Sequence, residues 1–593
     1  MIWRFELEDR LTTLYDHALP SFRTGVFFNT YAYPTKITPE SIAIYIATHT
    51  RPGDTVLDAF SGSGATGLAA LMCEHPTSDM EDIAKKLGVQ PEWGARNACL
   101  YDISTYGTFA ARVMTDPPKA KDFKRAAESL LETVSNELGW MYETEDSSGN
   151  KGRIRHIVWS SVLVCPKCGK EFAYYDGMVS WNPLAINSVG TCPHCGQQIA
   201  ASECAYVTDN FWDCLLGKEV CQRRRQPMLV YGETGSKRWR RQANASDFDQ
   251  IRRVNEIAYN SDIEPQEIKW GELRRSGYHF GMTHLHHFYT KRNYLIIEAL
   301  WRASEAFENK MRDALRLLIL SYNATHSTLM TRVVVKHNSH DFVLTGAQSG
   351  VLYVSNLPVE KNILKGLARK IKPFMRAFDY VGKCTGQVVI HNQSSSNMAE
   401  ERGSIDYTFT DPPFGDFIPY AEVNQINELW LGRTTDRNDE AIVSPSQGKG
   451  IDDYGNMLES SLREAARVLK DDGLMTLVFH SSKAEIWQVM AKAIKAAGLT
   501  VRATSHLAKV QDSFKQVVSS SSVKNDSLIL LSKDKGDSES VSRMHGASDP
   551  YSSMDDPRAV YAAYVNDCLE RGVPVEMDAR EAYERLALTG ALR

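Results

Sequence analysis

The sequence predicts an α/β fold in which one mainly parallel sheet is split by a long insertion, and three observations carry that expectation. Thr55-Val56-Leu57-Asp58 reads as a strand that runs into the glycine-rich loop Ala59 to Gly67 and then into the helix former Leu68-Ala69-Ala70-Leu71-Met72. Strand-like segments resume only near Gly386, after the strand Ala98 to Tyr101. Between them lie paired cysteines, a basic stretch and a long helical region.

Each element has its own signal. Ile37 to Thr50 places apolar residues at helical spacing, and Arg51-Pro52-Gly53-Asp54 stops that helix. His75 to Gly94 is polar and irregular and reads as an excursion before Ala98-Cys99-Leu100-Tyr101, a strand ending at Asp102. Gln387 to Ile390 and Ser404 to Thr410 supply two more strands, the second ending on Asp411-Pro412-Pro413-Phe414. Leu458, Leu462, Ala465, Ala466 and Leu469 share one helix face, and Gly473 precedes a strand from Leu474 to Phe479. A helix at Ala484 to Ala497 leads to strands at Val501 to Ser505 and Ser527 to Leu531. The expected organisation is therefore one domain in two pieces, 1–118 and 384–532, interrupted by an insertion over 119–383 that is partly helical around Met311 to Met330. A Lys-, Asp-, Gly- and Ser-rich linker follows over 533–556, then a helical tail over 557–593.

Composition bounds the function. The 593 residues are 43% hydrophobic and 24% charged, the mix of a soluble protein of several modules. No apolar run reaches membrane-span length, and Glu6, Glu8 and Asp9 stand where a signal peptide needs basic and then apolar residues, so a cytoplasmic protein without a membrane partner is expected. Lys plus Arg number 68 against 73 Asp plus Glu, so any nucleic-acid contact needs a local basic patch. Eleven cysteines, four of them in two Cys-Pro-x-Cys-Gly units, read as metal binding rather than a disulfide framework.

Strand, glycine loop and helix in that order open a Rossmann-like nucleotide-binding unit, with Gly62 and Gly64 letting the backbone approach a ligand. The form Asp-x-Phe-x-Gly-x-Gly lacks the Gly-Lys-Ser/Thr ending of a phosphate loop, which argues against an NTP. A carboxylate inside the loop favours a cationic ligand, and S-adenosylmethionine, with its sulfonium and ammonium, fits. Asp58, Phe60, Gly62 and Gly64 are the candidate cofactor contacts, and Asp102 is placed for ribose hydroxyls or, alternatively, for a helix N-cap.

The tetrapeptide Asp411 to Phe414 suits methylation of an exocyclic base amine, whose lone pair is delocalised into the ring. Asp411 and the Pro412 carbonyl can accept the amino hydrogens, Pro413 stiffens the loop, and Phe414 offers a face for an extruded base. In-line transfer then needs proximity rather than a covalent intermediate. A second copy, Thr115-Asp116-Pro117-Pro118, follows a helical pattern, lacks the aromatic and reads as a linker. Methylation at cytosine carbon 5 is disfavoured because the chain has no Pro-Cys dipeptide to carry the thiolate.

With these residues together, the chain resembles the amino-group DNA methyltransferases, which make N6-methyladenine or N4-methylcytosine. Val56 to Gly67 looks like that family's cofactor motif and Asp411 to Phe414 like its catalytic motif. Tyr33 to Pro39 resembles the segment closing over the methionine end of the cofactor, which implies Lys36 and Thr38 near its carboxylate. More narrowly, the chain is similar to the adenine-specific methylases containing a zinc ribbon, and His287 to Asn293 is similar to that group's Phe-Thr-x-Arg-Gln stretch, with Asn293 where Gln is usual. His391 to Ser394 departs from the family's acidic position against the cofactor's adenine. The resemblance implies a mixed, mainly parallel seven-stranded sheet with helices on both faces. Asp rather than Ser before Pro-Pro leans toward adenine.

In the insertion, Cys165, Cys168, Cys192 and Cys195 form two Cys-x-x-Cys knuckles 23 residues apart, a pattern for structural Zn2+ in a ribbon at about 160–200. Cys204, Cys214 and Cys221 are too irregular to assign. Between Gly217 and Gln242 stand eight Lys or Arg against two Glu, with aromatics interleaved. Arg223, Arg224, Arg225, Arg238, Trp239, Arg240 and Arg241 are therefore candidate contacts to double-stranded DNA. His279, His284, His286 and His287 read as packing or phosphate-bonding groups, since no acidic partner stands at ligand spacing. The expected function is S-adenosylmethionine-dependent DNA methylation, N6 of adenine ahead of N4 of cytosine. A non-catalytic DNA-binding subunit among other subunits of a restriction or defence system is the reading from another class, and RNA or protein as substrate stays open.

Overall fold

The computed structural model describes residues 14–15, 17–21, 25–27, 29–34, 37–260, 262, 264–509, 526–533 and 556–589. Its central feature is a mixed sheet of eight strands: β1 (Leu19–Ser21), β2 (Thr55–Asp58), β3 (Asn97–Tyr101), β4 (Val388–His391), β5 (Ile405–Thr410), β6 (Leu469–Phe479), β7 (Leu499–Lys509) and β8 (Asp526–Lys533). They lie in the order β1-β7-β8-β6-β5-β2-β3-β4. Strands β2 to β6 pair in parallel, and β8 runs antiparallel to both β6 and β7. The eighth strand, one more than expected, is β1, which pairs in parallel with β7 at the edge.

Alternate residues of these strands feed two apolar layers, as the pleat requires. Val56, Leu100, Phe409 and Val478 face one layer, Leu57, Tyr101, Leu477 and Leu531 the other. The first layer is closed by α1 (Pro39–His49), α2 (Ala65–Met72) and α3 (Thr105–Thr115). It also takes four helices of the 119–383 segment: α4 (Ala120–Leu138), α5 (Lys291–Ala303), α6 (Asn309–Tyr322) and α7 (Ile363–Val381). Helix α8 (Tyr420–Glu428) follows the tetrapeptide, and α9 (Ile451–Val468), α10 (Ala484–Ala496), α11 (Pro557–Arg571) and α12 (Ala579–Thr589) close the second layer. The helical part of the insertion is thus continuous with the sheet's core.

The rest of the insertion is built on a second, seven-stranded sheet whose spine is the strand Lys151–Val164, paired with Arg225–Thr234 and through it with Lys237–Gln242. Two local expectations change. His75 to Gly94 contains a helix, Ser78–Lys86, started by Thr77 accepting from Met80 N and buried on Met80, Ile83 and Ala84. Leu469 opens β6 instead of continuing the α9 face. The copy at Thr115 to Pro118 joins two helices, with Asp116 ending α3. Residues 534–555 of the expected linker lie outside the described residues. Among those described, no helix is long and apolar enough to cross a membrane.

Candidate active site

Strands β2 and β5 are parallel neighbours, with Leu57 beside Thr408, so the glycine loop after Asp58 and the tetrapeptide after Thr410 leave the sheet at the same edge. This is the point where the chain turns one way into β3 and β4 and the other way into β5 and β6, where open α/β sheets form their crevice. A cavity of about 320 Å³ occupies it, lined by Asp58 to Ser63 and Asp102 on one side and by Asp411, Pro413 and Tyr420 on the other. That volume is in the range of a small-molecule site.

The loop is held by its own polar groups. Asp58 is buried, and its Oδ1 accepts from Phe60 N (3.1 Å) and Thr410 Oγ1 (2.9 Å) while Oδ2 accepts from Thr66 Oγ1 (2.6 Å). Burial pushes its carboxyl up to about 6 despite those hydrogen bonds. Asp102 receives Gly62 N at 2.7 Å and Ser104 N at 2.7 Å, and burial raises its carboxyl as well. The cap of α3 is Ser104, which accepts from Gly107 N; Asp102 instead ties the glycine loop to the end of β3. Gly62 and Gly64 have φ of +50° and +79°. A Cβ at Gly62 would sit 2.9 Å from the Tyr33 ring and one at Gly64 2.6 Å from Ala111 Cβ. The glycines are thus required by Tyr33 and α3 crossing over the loop, beside the ligand clearance expected from the sequence.

The opposite wall is fixed by α8, α9 and α10. Tyr454 donates to Pro413 O at 2.6 Å, and Glu428 at the end of α8 accepts from Tyr106 N (3.1 Å) and from Thr435 N and Oγ1 (2.8 and 2.6 Å). Pro412 is buried. Phe414, expected to face a base, is 8% exposed, packs edge-on against Phe479 at 5.4 Å and is not on the cavity wall. Tyr420 is the aromatic on that wall, near parallel to Tyr33 with centroids 6.4 Å apart.

Of the other cofactor candidates, Phe60 and Gly62 line the cavity, while Gly64 does not. Thr38 is buried, bonds Ser41 Oγ at 2.9 Å and is off the wall; Lys36 lies outside the described residues. Sequence reasoning left Gln393 and Ser394 in the loop after β4 without an assigned contact and missed Ser395, Ser396, Asp439, Glu440, Asn456 and Ser460. The position just past β4 was the available signal for the first group. Asn392 donates to the Asp102 and Ile103 carbonyls and so seats that loop beside the glycine loop. Five carboxylates line the wall, at Asp58, Asp102, Asp411, Asp439 and Glu440, and no Lys or Arg does among the described residues. The chemistry of the wall matches a small cation.

The insertion's candidate sites are resolved separately. The Sγ atoms of Cys165, Cys168, Cys192 and Cys195 lie within 4.8 Å of one another, with Cys165 to Cys195 at 3.9 Å and Cys168 to Cys192 at 3.8 Å. A tetrahedron of thiolates on zinc has edges of about 3.8 Å from its ~2.3 Å bonds. Lys167 N and His194 N point at Cys165 and Cys192 Sγ (3.4 Å each), and the His194 ring bonds Glu171 O. Cys204, Cys214 and Cys221 join no metal-ligating group among the described residues.

The basic run is largely neutralised internally. Arg224 clamps Asp209 with two nitrogens and reaches Glu171, Arg240 pairs with Asp341 at 2.8 Å, and Arg241 pairs with buried Asp247. Arg223 stacks on Tyr206 at 3.3 Å, and Trp239 covers Gly232 and donates to Thr234. Arg225 is half-buried, and burial lowers its guanidinium to about 10. Arg238 is exposed. His286 and His287 have an acidic partner after all: both Nε2 atoms meet Asp213 Oδ2, at 2.8 and 2.9 Å. Asp213 arrives from a distant strand, which spacing along the chain could not show. His287 Nδ1 accepts from Thr283 N and His284 N, so its Nε2 carries the proton and donates to Asp213.

Comparison with known proteins agrees with the family suggested by these motifs. The family described as DNA methylase (N6_N4_Mtase) matches over residues 2–75, a stretch that takes in the glycine loop and ends before Asp411. Among curated proteins nothing matches. Solved structures of low similarity include the geranyl diphosphate C-methyltransferase of Streptomyces coelicolor A3(2) in complex with Mg2+, geranyl diphosphate and S-adenosyl-L-homocysteine (10% identity, TM-score 0.16). Another is a geranyl diphosphate methyltransferase in complex with GPP and sinefungin (9% identity, TM-score 0.14). In both cases the match covers 29% of this chain and 60% of the other.

Proposed function

We propose that this protein is an S-adenosylmethionine-dependent DNA methyltransferase acting on an exocyclic base amine, N6 of adenine ahead of N4 of cytosine. The observation that carries the reading is the cavity walled by the glycine loop on one side and Asp411 and Pro413 on the other, carrying carboxylates and, among the described residues, no Lys or Arg. S-adenosylmethionine, when bound, supplies an electrophilic methyl on a sulfonium. Asp58, Phe60 and Gly62 hold it, Asp102 takes ribose hydroxyls, and the loop from Gln393 to Ser396 borders its base. Asp411 and the Pro412 carbonyl accept the amino hydrogens and hold the nitrogen lone pair toward the methyl. Pro413, fixed by Tyr454, keeps that carbonyl in place. The target base is flipped out of the duplex, and Tyr420 takes the stacking role expected of Phe414, which instead anchors the loop in the core. The four cysteines hold a structural Zn2+, with all four positions filled by sulfur and none left for catalysis.

The test is to incubate the protein with DNA and labelled methyl donor, digest the DNA and identify the modified nucleoside by mass spectrometry. N6-methyladenine is expected. N4-methylcytosine would move the reading to the other amine, and label in protein or RNA alone would overturn it.

A further inference from the structure

Arg224, Arg240 and Arg241 of the basic run are spent on internal carboxylates, which leaves the duplex to be met by other groups. The segment from Lys269 to Gly281 is fastened to the far wall of the cavity. Gly271 N and Leu273 N donate to Glu422 of α8 (2.7 and 3.1 Å), and Glu272 accepts from Ser444 Oγ and Ser446 N (2.8 Å each). Arg437 donates to Lys269 O. Both α8, through Tyr420, and the loop of Arg437 to Gln447, through Asp439 and Glu440, line the cavity. The segment is kept in shape by buried His279, whose Nδ1 accepts from Arg275 N at 3.0 Å and whose Nε2 bonds Leu352 O at 2.6 Å.

Against this segment rests the hairpin Thr208–Asp213 and Lys218–Arg223. Gln222 donates to Gly281 O, and a Cβ at Gly281, which has φ of +74°, would lie 2.1 Å from Cys221 O. Asp213 pins the hairpin's turn, with Oδ1 accepting from Leu215 N and Leu216 N and Oδ2 from the two histidines. Phe211 (43%), Trp212 (63%) and Phe280 (45%) are exposed, with Phe211 and Trp212 on opposite faces of their strand. Arg274 and Arg275 are exposed in the same segment, and one guanidinium nitrogen of Arg275 donates to the Glu272 and Arg274 carbonyls.

We infer that this surface, the hairpin with Trp212 joined to the loop carrying Arg274, Arg275 and Phe280, is where duplex DNA docks. The inference rests on the DNA-methyltransferase reading and adds the part of the chain that meets the substrate. Exposed rings on a rigid support suit insertion between base steps beside a base being extruded, and exposed guanidinium groups suit the flanking phosphates. Continuity with α8 places that contact next to the cavity wall rather than across the second sheet.

Fluorescence anisotropy with a labelled duplex, over a range of salt, tests this on the full-length protein with donor bound. Arg274→Ala/Arg275→Ala is expected to raise Kd at least tenfold and to reduce the salt slope by about 1.8, at ~0.9 per phosphate contact. Trp212→Ala is expected to raise Kd or KM for DNA about threefold to tenfold with the salt slope unchanged. Arg125→Ala, exposed on α4, should leave both at the wild-type value. Calorimetric uptake of S-adenosylmethionine should be the same in all of them. In the wild type, duplex should also shield Arg274 and Arg275 from an arginine-specific glyoxal reagent, a readout that needs no variant. Normal DNA affinity and KM in both variants, with wild-type methylation intact, would overturn the surface and leave the function standing. A wild type that binds only RNA or protein, or no duplex at all, would overturn both.

Discussion

The cavity at the edge of the sheet and the basic hairpins of the insertion treat charge in opposite ways. In the cavity, Asp58, Asp102, Asp411, Asp439 and Glu440 converge with no Lys or Arg on the wall among the described residues. In the insertion, Arg224, Arg240 and Arg241 each find a carboxylate of their own, Asp209, Asp341 and Asp247. A run of like charge in sequence says little about free charge in space, because the fold decides whether partners arrive. Burial raises the carboxyls of Asp58 and Asp102, so a cationic ligand beside them would favour their charged forms.

The largest effect that would sharpen this contrast is at the cysteines. Elemental analysis is expected to find roughly one equivalent of zinc in the wild type and none in Cys165→Ser, which should also open 160–200 to proteolysis, since a structural zinc contributes on the order of 10 kcal/mol. Retained metal and unchanged cleavage would show that the cluster is reduced thiols only. Next, Asp411→Ala should lower methyl transfer by roughly a thousandfold or more while calorimetric donor binding stays within about threefold, because the carboxylate is assigned to the amine rather than to the cofactor. A matching loss of donor affinity would move Asp411 to the cofactor side.

Arg241 is the internal counterpart. Its pair with Asp247 is nearly buried, with side chains 10% and 4% exposed, so Arg241→Ala should cost about 3–5 kcal/mol in denaturant unfolding. Arg240 and Asp341 are 38% and 47% exposed, so Arg240→Ala should cost no more than about 1 kcal/mol. Equal costs would break the distinction between buried and surface pairing.

Asp58 gives the pH dependence. Its carboxyl is raised from 3.8 to about 6 by burial, so ionising it costs the folded state, and its contribution to stability declines as pH rises from about 4 to about 6. Above that window the cost is about 3 kcal/mol in the cofactor-free protein. Affinity for the cationic donor should therefore rise with pH through about 6, while the neutral S-adenosylhomocysteine responds less. Asp58→Asn should flatten the donor's profile. Identical pH profiles for the two ligands would remove Asp58 from the cation site.

Much of the sheet was legible because its strands are short apolar runs bounded by strong punctuation. β2 runs from Thr55 to Asp58, between Pro52-Gly53 and the glycine loop, and β5 ends where Asp411-Pro412 stops it. The four cysteines could be read because their spacing is local. The rest depends on contacts distant in sequence. β1 exists only by pairing with β7, and Asp213 meets His286 and His287 only after a hairpin folds back. Phe414 is buried because α10 brings Trp487 against Phe479 beneath it, which no property of the tetrapeptide foretells. The helix Ser78–Lys86 was legible and missed, since Met80, Ile83 and Ala84 keep helical spacing behind a Thr77 cap.

The most direct test of a shared site is photo-crosslinking of radiolabelled S-adenosylmethionine to the full-length protein, with the label mapped by peptide sequencing. Label is predicted in peptides covering 56–67, 393–396 or 411–420. Label confined to other peptides would contradict a cofactor site between β2 and β5.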